Sequence, residues 1–426
     1  MIPQPEINPH RLAEDTDLRA LAERWSTPLY VYCAASIQAR IDGLRRALLG
    51  LDATICYAVK ANSNGAILRL MAEAGVGADV VSVGELRRSL AAGIPAARAV
   101  FSGVGKTGPE MAEALSVGIW KFNVESSDEL ATLQQVAKAQ DKIAHVAVRI
   151  NPDVDAQTHE KISTGKLQNK FGVSIEQARE WFAQASGFSH LRLDGLHLHI
   201  GSQILSLEPF QLSLARVREF WCELIDSGQV IDSIDVGGGL GVCYRAGQDV
   251  PVPVTDYVDA IRTAFPDFTG KLILEPGRHL VAEAGVLLTR VIRTKHTGTR
   301  DFLIVDAAMN DLMRPSLYSA WHDITTLNGQ DRPDVSYDIV GPVCESGDTF
   351  ATARLLPRCE AGDLLVIAGA GAYGSSMSST YNSRPLAAEV LICDGTDFLV
   401  RRRQTHEELC AGELPVEREA ELQPSC

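Results

Sequence analysis

The chain has 426 residues, 46% of them apolar and 22% charged, a globular composition that excludes a disordered chain, a collagen-like fibre or a polar low-complexity protein. Its 40 basic and 54 acidic side chains leave a formal charge of −14, so nucleic acid is not an expected partner. No apolar run approaches the roughly 20 residues of a membrane span, the opening MIPQPEINPH lacks the pattern of a secretion signal, and nine scattered cysteines form no CxxC pair, which predicts a cytoplasmic protein with reduced thiols and no membrane partner.

In chain order, a strand-like run at 28–33 comes first. With the rest of residues 1–35 it is expected to join a β domain formed later in the sequence. From about 53 to 280 a unit repeats: a short β-branched run, a polar or glycine-containing loop, then a helical stretch. Candidate strands lie at 54–59, 79–82, 99–101, 120–124, 145–150, 195–200, 233–236 and 271–274, with helical character at 86–92, 127–139, 175–185 and 210–227. Eight such units predict a (β/α)8 TIM barrel over 36–282, with an open doubly wound sheet as the competitor. Beyond 285, strands dominate at 286–294, 302–306, 337–340, 364–368, 388–393 and 398–402, with short helices near 309–312 and 406–409. This predicts a mostly antiparallel β domain over 283–426, ending in a Glu- and Pro-rich tail from 411 that is expected to fray. The long polar loop at 158–169 is a candidate mobile lid.

Barrel active sites form where strands end, so the residues at those ends are the candidates. Lys60 follows the first strand among apolar neighbours. Desolvation there would lower its pKa and free its amine to attack a carbonyl carbon; the plainer reading is a surface lysine. His197 and His199 alternate onto one face of the sixth strand. Two histidines invite a metal, but no third ligand is evident, and a ring lying over a flat cofactor fits better. Ser202 could donate to a phosphate. DVGGGLG at 235–241 is a glycine turn whose amides can approach an anion, or a tight turn without a ligand. It is not the dinucleotide fingerprint, because Val242 stands where the last glycine should be. GVGKT at 103–107 ends like a nucleotide-binding loop, but Val100 occupies the place of its first glycine. Glu275 and Arg278 close the eighth strand, either as a ring-nitrogen partner and a carboxylate clamp or as a simple ion pair. Together, a nucleophilic lysine, a stacking histidine, a phosphate turn and a carboxylate are what pyridoxal phosphate requires.

The segments YAVKANSN (57–64), NKFGV (169–173), HLHIGSQ (197–203), DVGGGLG (235–241), EPGR (275–278), MNDLMRPSLY (309–318), GPVCESGD (341–348) and GAYGSSMSSTY (371–381) resemble those of the diaminopimelate decarboxylases. These form a branch of the alanine-racemase-like, barrel-type family of pyridoxal phosphate-dependent decarboxylases. The resemblance implies an enzyme that decarboxylates meso-2,6-diaminopimelate to L-lysine. It implies that Lys60 holds the coenzyme covalently, that Glu275 meets its ring nitrogen and that His199 lies against its ring. Ser202, Gly237, Gly238, Gly239, Gly277, Arg278 and Tyr373 would surround the phosphate, with Asp79 nearby. Arg278, Arg314, Tyr318 and Tyr373 would bind the substrate, Glu345 would read its distal amine, and Cys344 would return the proton. It further implies a homodimer, with Cys344 and Glu345 reaching the neighbouring subunit's site. No metal is expected. Decarboxylases of basic amino acids or carboxylated polyamines are the nearest alternatives, and a non-catalytic coenzyme-binding regulator is a remoter one.

Overall fold

In the computed structural model the described residues are 17–156, 165 and 170–414. Residues 1–16, the candidate lid apart from residue 165, Asn169 and the tail beyond 414 lie outside them.

The first strand, β1 (Leu29–Cys33), is followed by eight parallel strands: β2 (Ala53–Ala58), β3 (Gly77–Val80), β4 (Ala99–Phe101), β5 (Lys121–Val124), β6 (Ala144–Ile150), β7 (Leu191–Leu198), β8 (Ser233–Asp235) and β9 (Lys271–Leu274). They form a closed barrel, sealed by Ala53 pairing with Leu272 in β9. The intervening helices start where the sequence supplies caps. Ser126 accepts from the Glu129 amide at the start of Ser127–Ala139, and Thr107 and Glu110 form a reciprocal capping box for Gly108–Val117. GVGKT is therefore a helix entry, and Lys106 donates to the Gly103 and Asn123 carbonyls. In the helix Glu208–Asp226, Phe210, Leu214, Val217, Phe220, Trp221 and Leu224 are buried, the three-four spacing of a helix packed on a sheet.

Two barrel strands depart from expectation by more than one residue. The strand expected at 79–82 begins at Gly77 instead, and Ser82 caps the next helix through the Glu85 amide. A side chain at Gly77 would strike the Arg98 carbonyl, so glycine is needed at the strand start, where composition argues against a strand. The sixth strand starts at Leu191 and ends at Leu198, leaving His199 just beyond it.

The second layer holds β10 (Gly285–Thr297), β11 (Arg300–Val305), β12 (Ile324–Thr326), β13 (Asp334–Val340), β14 (Thr349–Pro357), β15 (Leu364–Ile367), β16 (Ala388–Cys393) and β17 (Thr396–Arg401). Their order is β14-β13-β11-β10-β1-β16-β17, with β15 joining β10 to β12. Pairing is mostly antiparallel, the parallel exceptions being β1 with β16 and β11 with β13. β12 and β14 escape the sequence reading. β14 breaks alternation at Ala353, which has φ 48°, and turns Arg354 inward while Leu355 faces solvent. The helix expected near 309–312 is a turn closed onto the Ala308 carbonyl. The helix forms at Arg314–Tyr318, with Pro315 in its first turn, where a missing N–H costs nothing.

The two layers meet at the mouth of the barrel. The Asn62 amide group donates to the Gly371 carbonyl (3.0 Å), the Tyr373 N–H to the Ala61 carbonyl (2.7 Å), and Asn64 to Glu389 on β16 (3.1 Å). The segment carrying Lys60 is thereby tied to the β domain.

Candidate active site

Lys60 lies on the single turn Val59–Ala61 after β2, between two buried apolar residues. Its Nζ is 2.6 Å from Asp79 Oδ2, and its side chain is 36% exposed. The expected fall in its pKa is not found. Burial does oppose the ammonium, but the charges of Asp79, Tyr373 and Glu275 outweigh it and raise the value.

Glu275 follows β9 and is 5% exposed. Its Oε1 accepts from Asn123 Nδ2 (3.1 Å) and Ser102 Oγ (3.3 Å), and its Oε2 lies 3.2 Å from His197 Nε2. Burial opposes its charge, yet His197 and Lys60 hold the carboxyl well below the usual range. Asp235 beside it goes the other way: burial and the Glu275 charge push it well above the ordinary aspartate value. The two carboxyls of this buried pair are driven in opposite directions, with the negative charge favoured on Glu275. His197, Asp235 and Glu275 place three ligand-type atoms within 4.8 Å of one another. The grouping takes in His197 but not His199, so the two histidines of that strand do not share it. Glu275 and His197 are already partnered within the protein.

His199 is poised beyond β7. Its Nδ1 accepts from the Gly238 N–H (3.1 Å), so the proton of the neutral ring sits on Nε2. Burial and the nearby Arg149 charge lower its pKa to about 3. The glycine turn after β8 is required by contact. Gly237 has φ 68°, and side chains at Gly237 and Gly238 would collide with the Leu198 and Glu275 carbonyls.

Arg278 starts a short helix after β9 and is buried. It donates from Nη2 to Ser202 Oγ (2.9 Å) and from Nη1 to Tyr244 Oη (2.6 Å), with its guanidinium 4.7 Å from the Tyr373 ring centre. Its Nε is buried without a hydrogen-bond partner. Arg314, also buried, lies 4.2 Å from the Tyr244 ring centre and donates to His322 Nε2 at 2.7 Å. Among the described residues neither arginine forms an ion pair with a carboxylate.

These groups share one cavity of about 420 Å³, lined by Lys60, His199, Ser202, Gly239 and Glu275 on the barrel side. Gly277, Arg278, Arg314, Tyr318 and Tyr373 line it as well. Asp79 stands behind Lys60, and Gly237 and Gly238 stand behind His199. Cys344 and Glu345 are elsewhere. Both are exposed on the loop between β13 and β14, where the Cys344 N–H donates to Asn382 Oδ1 (3.1 Å). Ser102, Asn123, Tyr244 and His322 were not read from the sequence as site residues. Ser102 and Asn123 had one available signal, their place at the ends of β4 and β5. Tyr244 and His322 lie in loops that carry no periodic pattern. As a whole the set offers an amine, an ionised carboxylate, a flat imidazole and a cationic pocket around one void, enough to hold a flat, anionic aldehyde cofactor and an anionic substrate.

Residues 34–282 match the family described as pyridoxal-dependent decarboxylase, pyridoxal binding domain. The chain is 50% identical over 401 residues to the diaminopimelate decarboxylase of Pseudomonas aeruginosa, covering 94% of this chain and 96% of that one. It is 46% identical to the Zymomonas mobilis diaminopimelate decarboxylase, over 98% of this chain and all of the other. Its fold superposes on the crystal structure of Helicobacter pylori diaminopimelate decarboxylase complexed with L-lysine with a TM-score of 0.90, at 42% identity over 93% of this chain and 98% of that one.

Proposed function

The chain belongs to the pyridoxal-dependent decarboxylases, in the branch of the diaminopimelate decarboxylases, and on that premise we propose that it decarboxylates meso-2,6-diaminopimelate to L-lysine and carbon dioxide, the last step of lysine biosynthesis, with pyridoxal 5'-phosphate as coenzyme. The observation that carries the substrate assignment is the pair of buried arginines. Arg278 and Arg314 face the cavity of Lys60 and Glu275 with neutral partners. Two desolvated cations without counter-charges make a site for a carboxylate. A lysine, ornithine or arginine substrate carries no second amino-acid head and would leave them unpaired, a costly arrangement in a closed site.

The residues fit the coenzyme. Lys60 presents an amine for its aldehyde. Glu275 is ionised where a ring nitrogen needs a counter-charge. The turn at Gly237–Gly239 admits no side chain, since one would strike the Leu198, Glu275 or Gly201 carbonyl, so its backbone stays bare, and Arg278 Nε is a buried donor without a partner. When bound, the coenzyme supplies an electron sink for the bond to the departing carboxylate.

The protein's own groups do the rest. Lys60 would hold the coenzyme through its Nζ, at the position where the substrate amine would take over. Glu275 stays ionised because Asn123, Ser102 and His197 already solvate it, so no reorganisation is required as charge develops. His199, neutral and oriented by Gly238, offers a flat face without a competing charge. Arg278 and Arg314, with Tyr318 and Tyr373, bind the distal carboxylate and so fix which end of the substrate reacts. The Cys344 Sγ delivers a proton to the carbon that loses carbon dioxide, and Glu345 binds the distal amine. Because both are exposed outside this chain's cavity, we assign them to the cavity of a second copy, which makes a homodimer the functional unit. The protein is assigned to the cytoplasm, in keeping with the free thiols of all eight described cysteines; no helix among the described residues is long and apolar enough to cross a membrane.

Carbon dioxide release from meso-diaminopimelate, measured beside lysine, ornithine and arginine, tests the reading. Strong preference for diaminopimelate is expected. A comparable kcat/KM for ornithine or lysine would overturn it.

A further inference from the structure

His322 is fully buried in the segment between the helix Arg314–Tyr318 and β12. Its two ring nitrogens have partners of opposite kind. Nδ1 lies 2.7 Å from the Ala368 carbonyl oxygen, and Nε2 lies 2.7 Å from Arg314 Nη1. A carbonyl oxygen can only accept, so Nδ1 carries the hydrogen. A guanidinium can only donate, so Nε2 carries none. The two contacts together specify a neutral ring in one tautomer. Three further groups hold the ring in place. The Arg354 guanidinium donates to the His322 carbonyl at 2.9 Å, Tyr244 packs edge-on at 5.2 Å, and the Ala368 N–H ties the same stretch to the Asp323 carbonyl.

The consequence falls on Arg314. An arginine this deeply buried is ordinarily satisfied by a carboxylate, which would cancel its charge. Here its partners are an imidazole lone pair and the face of Tyr244, which orient the guanidinium and leave its charge intact. Tyr244 also accepts from Arg278, so one neutral His–Tyr bracket steadies both cations on the wall of the cavity.

We propose that His322 is a specificity-determining positioning residue: by accepting from Arg314 as a neutral Nδ1–H imidazole, it aims an uncompensated guanidinium at the distal carboxylate of the substrate. This rests on the reading of Arg314 given above and deepens it. His322 touches no reacting atom, so its loss acts on recognition of the carboxylate more than on bond breaking.

The test uses holoenzyme and two competitors of meso-diaminopimelate, L-lysine, which keeps the distal carboxylate, and cadaverine, which lacks it. In His322→Phe the bond to Arg314 is lost. A hydrogen bond to a charged group of this kind corresponds to about 10- to 100-fold in affinity, so the KM for diaminopimelate and the Ki for L-lysine should rise by that factor. The Ki for cadaverine and kcat should move by less than about threefold. His322→Gln, which keeps one donor and one acceptor, should recover most of the L-lysine affinity. Equal shifts for both competitors in His322→Phe, or an unchanged preference for L-lysine, would overturn the role of His322. A wild-type enzyme that binds both competitors alike would instead overturn the distal-carboxylate reading itself. A second measurement needs no apolar variant. In wild-type protein labelled with nitrogen-15 in the imidazole rings, the resonance missing from His322→Gln should report a neutral, Nδ1-protonated ring throughout the pH range of native protein above about pH 5. A ring that takes up a proton in that range overturns the proposal.

Discussion

The ammonium of Lys60 lies 2.6 Å from the carboxylate of Asp79, which together with Tyr373 and Glu275 more than offsets the desolvation that opposes the lysine's charge. Lys60 is therefore held protonated until an aldehyde arrives, and only its neutral form can attack. Capture of pyridoxal phosphate by the coenzyme-free protein should accelerate as pH rises. In Asp79→Asn the opposing charge is gone, and the profile should move to lower pH by about one unit or more. The growth of the lysine-bound coenzyme's absorbance measures it. An unmoved profile would mean that Asp79 does not control this amine. Lys60→Ala should show no such band and no turnover.

Glu275→Gln keeps the shape of the side chain and its acceptor toward Asn123 but removes the charge. Losing one preorganised electrostatic group costs on the order of a hundredfold in kcat, and KM should change far less. Steady-state kinetics with coenzyme at saturation separate the two. A rate within a few-fold of wild type would show that no ionised carboxylate is needed there.

Gly237→Ala places a methyl group against the Leu198 carbonyl at φ 68°. The strain should cost about 1–3 kcal/mol of stability, and coenzyme should dissociate more readily because the turn must shift. Urea unfolding and coenzyme titration report the two effects separately. Gly105, whose added side chain would meet open space, serves as the control.

If each cavity combines Lys60 from one copy with Cys344 from another, two inactive variants can rescue each other. Lys60→Ala and Cys344→Ser, mixed after dissociation and reassociation, should recover about one quarter of wild-type activity, since half the dimers are mixed and each has one intact site. No recovery, with mixed dimers demonstrated by tagging, would place both residues in one chain's cavity. Glu345→Ala should raise the KM for diaminopimelate, and an unchanged KM would argue against its role.

Three buried histidines should make the fold acid-sensitive. Burial lowers the pKa of His199, His279 and His322 from 6.5 to about 3. The unfolded chain therefore takes up protons that the folded one refuses. The stabilisation is full above pH 6.5 and is lost as pH falls toward 3. Each ring contributes a slope of about 1.4 kcal/mol per pH unit across that window. His322→Gln should reduce the slope of unfolding free energy against pH by about that amount. An identical slope would mean that His322 is protonated in the folded state.

The eight barrel strands were legible because each is a local object: a short β-branched run, a turn and a capped helix, all within one stretch of chain. Legibility failed where the local signal is weak or misleading. Gly77 begins a strand because the Arg98 carbonyl leaves no room for a side chain. β14 hides its period behind the bend at Ala353 and an inward arginine.

The sequence alone determined that Lys60, Gly237 and Glu275 each stand where a strand gives way to a loop, since alternation and turn chemistry act over a few residues. Only the closed barrel and its β partner decided what those residues touch. Asn123 reaches Glu275 across 152 positions of chain, and Lys121 reaches Asp232 across 111. The Tyr244 and His322 loops meet around two arginines from separate layers. Charge depends on such neighbours through distance and solvent exclusion, which is why a lysine whose pKa burial was expected to lower instead has it raised by Asp79 on the next strand together with Tyr373 and Glu275.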